Sequence, residues 1–174
     1  MTGKFVRGYI DGSLSTLGIL VGASSASAPV IVAAAVGGTL ANGVSNLLSA
    51  YSAEGIELYK DLRRTENAMV AKELKGSLPE RRVSRLTVRM GLVDGLATII
   101  GGGILVLPYL FLPSFQAMLV AVGLVLVSIS SIGVYLGKLS KRNMLLSAIK
   151  MALYCIVVAG LVYLIQMLIV SGQR

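Results

Sequence analysis

Apolar side chains run along this chain in five long blocks, at about residues 6–24, 29–51, 90–111, 115–137 and 145–170. Each approaches the roughly 20 residues that a helix needs to cross a hydrocarbon layer about 30 Å thick. None alternates apolar and polar positions as a barrel strand does, and in lipid a lone spanning segment can pair its backbone only as a helix. The pattern predicts an all-α polytopic membrane protein with five transmembrane helices. Residues 1–174 form one membrane domain, with a cytoplasmic helical connection over 52–89. The links at 24–28 and 112–114 are short enough to make spans one–two and three–four tight hairpins, with Pro29 and Pro113 at the turns.

Charge gives these spans a direction. Fifteen of the sixteen Lys and Arg residues fall in three places: Lys4 and Arg7, the nine between Lys60 and Arg89, and Lys138, Lys141, Arg142 and Lys150. An odd number of spans puts all three groups on one side, which the positive-inside rule makes the cytoplasm, with the N-terminus in and the C-terminus out. The formal charge of +8 therefore reads as membrane topology, and nucleic acid is not expected as a partner. Composition agrees, since 55% hydrophobic residues and a mean hydropathy of +0.82 exceed what a soluble chain this size buries. With no His and one Cys, an internal disulfide and a Cys/His zinc site are excluded, and Cys155 reads as a small apolar filler. The first block carries Asp11 and lacks a clean apolar run into a cleavage site, so no signal peptide is expected.

The candidate chemistry lies inside the spans. Asp11-Gly12 in the first and Asp94-Gly95 in the third each open a Gly-rich apolar run, an echo that suggests a parallel repeat of a two-helix unit. Gly8/Gly12, Gly18/Gly22, Gly91/Gly95 and Gly133/Gly137 have the four-residue spacing that lets helix backbones approach closely. A carboxylate within a span costs several kcal/mol unless it is paired, solvated or protonated, so each aspartate is a candidate functional residue. Both are expected at one depth, roughly 9 Å inside the cytoplasmic end. The second span brings Asn42, Ser45 and Asn46 to a comparable depth, with Asn42 and Asn46 on one face. Asp11, Asn42, Asn46 and Asp94 would form an oxygen-rich site for a hard or borderline divalent cation. The structural alternative pairs Asp11 with Arg7 and Asp94 with Arg89.

In the polar connection, Glu54, Glu57 and Asp61 share a helix face, and Glu66, Met69 and Glu73 repeat the pattern before a break near Gly76–Pro79. Two readings stay open: a surface that collects cations, and a solvated amphipathic helix whose acids pair with neighbouring Lys and Arg.

Arg7-Gly8-Tyr9-Ile10-Asp11-Gly12, the stretch Gly43–Tyr51 closing the second span, and Gly102–Tyr109 closing the third resemble the vacuolar iron transporter family, in its short prokaryotic branch. The resemblance covers essentially the whole chain in order and topology. It implies a homodimer in a prokaryotic plasma membrane that exports Fe²⁺ or Mn²⁺ from the cytoplasm in exchange for protons. Asp11 would lie in the translocation path, and residues 54–80 would be the cytoplasmic metal-binding segment. Where eukaryotic members place a Met in span two and a Glu before the Tyr, this chain has Leu47 and Ala50. The remaining oxygen donors suit Mn²⁺ or Fe²⁺ without excluding Mg²⁺. Neither a nucleophile–base pair nor a cofactor motif is present, so neither an enzyme nor a tightly bound cofactor is expected. The rival readings are a non-transporting membrane scaffold and a transporter of another substrate.

Overall fold

The computed structural model describes residues 2–68, 78–141 and 143–172, and every element among them is helical. The helices are α1 (Thr2–Gly22), α2 (Ala28–Ala68), α3 (Leu78–Val106), α4 (Pro108–Phe111), α5 (Ser114–Leu139) and α6 (Met144–Gly172). At 1.5 Å per residue, the 41 residues of α2 extend about 60 Å, twice the hydrocarbon thickness. The helix thus runs on to Ala68, well past the apolar block that ends near residue 51. The expected break at 76–79 falls largely outside the described residues, which resume in helix at Leu78. The third block is interrupted at Leu107–Pro108. A proline inside a helix removes one backbone donor and crowds the preceding turn, so α3 stops at Val106 and one turn restarts with Pro108.

Four helices among the described residues are long and apolar enough to cross a bilayer: Ala28–Ala68, Arg81–Phe111, Ser114–Leu139 and Met144–Ser171. The first expected span is the exception, and its position explains why. Helix α1 packs on α2, α3, α5 and α6 at once. Much of it is shielded by protein, and Ser13 and Thr16 lie fully buried beside Leu17 and Leu20. A helix surrounded by other helices does not need the uniformly apolar surface that lipid demands.

Helix α1 runs parallel to α3 and antiparallel to α2. Gly8 and Gly12 of α1 sit against Asp94 and Thr98 of α3, while Lys4 and Thr16 meet Glu54 and Thr39 of α2. The contact with α3 is backbone on backbone: a methyl group at Gly8 or Gly12 would overlap the carbonyl oxygen of Asp94 or Thr98. Helices α2 and α3 cross in the same manner, with the Gly95 α-carbon facing the Gly43 carbonyl. Helices α5 and α6 form a second antiparallel pair, closed where Gly133 and Gly137 meet Ala148 and Met144. The pair docks on α1 through a core that includes Leu17, Leu20, Ile31, Leu105, Val125 and Ile129. Three of the four glycine pairs in the sequence are thus close helix contacts, while Gly18 and Gly22 touch only the Val162 side chain.

Gly12→Ala should lower stability by about 1–3 kcal/mol, because neither backbone can move without opening the bundle. Gly160→Ala, which has open space around it, should not. Thermal unfolding of the two variants in detergent measures the difference.

Candidate functional site

The polar groups of the membrane region converge on Asp11. Asn42 Nδ2 donates to Asp11 Oδ2 at 3.0 Å, and Asn46 Nδ2 donates to the same oxygen at 2.6 Å. The two amides lie one turn apart on α2, so the i, i+4 spacing aims both at one point on α1. Each has a second acceptor. Asn42 Nδ2 also reaches Ser15 Oγ at 3.1 Å, and Asn46 Nδ2 reaches Thr98 Oγ1 at 2.9 Å. The Thr98 hydroxyl donates to the Asp94 carbonyl at 2.9 Å, which ties the cluster to α3. Among the described residues, no donor reaches Asp11 Oδ1. One turn further along, the hydroxyls of Thr16 and Thr39 lie 2.7 Å apart and continue the polar line.

The Asp94 carboxylate is paired and stands apart from the Asp11 cluster. It is fully buried, and its Oδ2 pairs with Arg7, whose side chain is half exposed. Its other carboxylate oxygen meets no donor among the described residues. Neither local pairing considered above forms: Arg7 reaches across to α3 instead of Asp11, and Asp94 takes Arg7 instead of Arg89. The two aspartates are also not level. Gly8 faces Asp94, so Asp11, three residues further along α1, lies about 4.5 Å deeper. The register set by the Gly8 and Gly12 contacts overrides the register suggested by the sequence echo.

The cytoplasmic acids are dispersed. Glu54 pairs with Lys4, Asp61 with Arg64, and Glu57 is exposed. Glu66 has an interaction of its own, and Met69 and Glu73 lie outside the described residues. Ser45 is exposed and takes no part in the Asp11 cluster. Among the described residues, no three His, Cys, Asp or Glu side chains come together to hold a metal ion, so the polar cluster is built on one carboxylate and two amides. Ser15 and Thr98 belong to it and are not among the residues picked from the sequence.

A polar line where α1 meets α2 and α3, among apolar helices of spanning length, defines a multi-pass membrane protein. Residues 52–167 match the VIT family. Over 168 residues the chain is 41% identical to an uncharacterized protein of the archaeon Methanocaldococcus jannaschii, covering 95% of this chain and 88% of that one. The chain belongs to the VIT family, whose members are membrane metal-ion transporters.

Arg7→Ala leaves a buried carboxylate without its cation and should destabilise the protein by up to about 3 kcal/mol, less than a fully buried pair because Arg7 is half exposed. Adding Asp94→Asn to Arg7→Ala should recover much of that loss. A double-mutant cycle on thermal unfolding checks the coupling.

Proposed function

We propose that this protein exports a divalent metal ion, Fe²⁺ or Mn²⁺, from the cytoplasm in exchange for protons, as a homodimer in a prokaryotic plasma membrane. The observation that carries this reading is the carboxylate of Asp11, held at membrane depth between Asn42 and Asn46. In this reading α1 counts as a fifth span, which keeps the three basic groups on the cytoplasmic side.

Asp11 Oδ1 is the first ligand. Rotation of either asparagine amide by half a turn replaces its NH₂ with an oxygen donor and completes an oxygen site. Coupling to protons requires a group that gives up its proton when the metal enters and regains it when the metal leaves. Among the described residues, Asp11 is the in-span carboxylate without a paired cation, whereas Asp94 has Arg7. Asp94, neutralised by Arg7, serves as a fixed structural charge. Of the acids further along α2, Glu54 and Asp61 gather cations only after Lys4 and Arg64 release them.

Exposure along one seam supports the dimer reading. Ser15 is exposed and Asp11 and Asn42 are only partly buried, on the seam between α1 and α2. Polar groups facing hydrocarbon are costly, and a second copy placed against this seam would cover them and enclose a path between the two chains.

Proton flux driven by Mn²⁺ or Fe²⁺ across proteoliposomes tests the reading. Asp11→Asn should abolish it, and Asn42→Ala or Asn46→Ala should slow it by 10-fold or more, about 1.4 kcal/mol of lost ion stabilisation. Transport by Asp11→Asn at the wild-type rate would remove Asp11 from the path. No stabilisation of the purified protein by Mn²⁺ or Fe²⁺ over Ca²⁺ would favour the scaffold reading.

A further inference from the structure

One face of α3 changes character along its length. Leu92, Leu96 and Ile100 follow one another at helical spacing and are each about half exposed, as expected of side chains in contact with lipid. The same stripe continues toward the start of the helix as Arg89, Arg85 and Arg81, all exposed. The opposite face, with Thr87, Gly91, Asp94 and Thr98, is buried against the bundle. The arginines therefore point away from the protein, on the side that is apolar deeper in.

Their height is fixed by neighbouring contacts. Gly55 of α2 touches Thr87, and the adjacent Glu54, the first charged side chain of α2, takes Lys4, so the three helices meet here at one level, with Arg7, Asp11, Arg89 and Asp94 deeper. Arg89 lies just inside it, and Arg85 and Arg81 lie about 6 and 12 Å further out. A headgroup layer is roughly 5–7 Å thick on each side of the hydrocarbon. Arg89 and Arg85 lie in or beside that layer, and the long Arg81 side chain can reach back to it. Among the described residues, no carboxylate pairs with any of the three.

We propose that Arg81, Arg85 and Arg89 form a binding site for the phosphate headgroups of anionic phospholipids. The guanidinium group suits this ligand, because its planar fork donates two hydrogen bonds to one phosphate and is weakly hydrated. Three forks a turn apart run outward through the headgroup layer, and the leucines below them face the acyl chains. A symmetric pairing of two copies through this face would set the two arginine rows against each other. The site is independent of what the protein transports.

The test uses the full chain in a neutral detergent, with added phosphatidylglycerol, phosphatidylcholine or inorganic phosphate. Phosphatidylglycerol should raise the unfolding midpoint above that seen with phosphatidylcholine, and native mass spectrometry should find it retained on the protein. The triple variant R81Q/R85Q/R89Q should lose most of the extra rise and the retained lipid, and R81K/R85K/R89K should keep part of both. K138Q/K141Q/K150Q removes the same charge elsewhere and should behave as wild type. Equal responses to the two lipids would overturn the proposal. An equal loss in the K138Q/K141Q/K150Q variant would replace the site with a net-charge effect. Inorganic phosphate that reproduces the rise would point to a free-phosphate site instead.

Discussion

The arrangement rests on the contact of α1 with α3, where two glycines let one backbone lie directly on another. Nothing larger fits there, and the contact holds α1 within touch of four neighbours. That enclosure allows a helix carrying Asp11, Ser13 and Thr16 to exist at membrane depth. The same contact determines which residues face each other across the seams. It brings Arg7 to Asp94, and Thr98 to within reach of Asn46.

The two aspartates illustrate how environment separates residues that look alike in sequence. Asp94 has a cation partner and no exposure, so its charge is part of the scaffold. Among the described residues, Asp11 is held only by neutral amide donors, which satisfy one oxygen and leave the other open. A neutral amide can turn to present its oxygen, whereas an arginine has only donors to offer. In the proposed transport reading, ligand exchange therefore falls to Asp11.

Much of this was legible before any coordinates. Long apolar blocks identify helices because lipid permits little else, and the i, i+4 placement of Asn42 and Asn46 identifies a shared face. What escaped the sequence was register between helices. Arg7 has Asp11 one turn away on its own helix, yet pairs across the bundle, because the glycine contact fixes where α3 lies against α1. Thr98 and Ser15 were missed for a related reason: hydroxyls in Gly-rich spans are common packing residues, and only the position opposite an asparagine gives them a role. Helix α1 is less apolar over a spanning length than the four helices of spanning character, since the face a helix shows to protein need not be apolar.

The solitary state of the Asp11 carboxylate has a consequence in charge balance. One carboxylate offsets half the charge of a divalent ion, and the amides and hydroxyls around it offset none. A single chain holding such an ion would leave one positive charge uncompensated in a low-dielectric layer. Two chains facing each other across the α1–α2 seam would bring two negative charges to one ion, and the loaded site would be neutral.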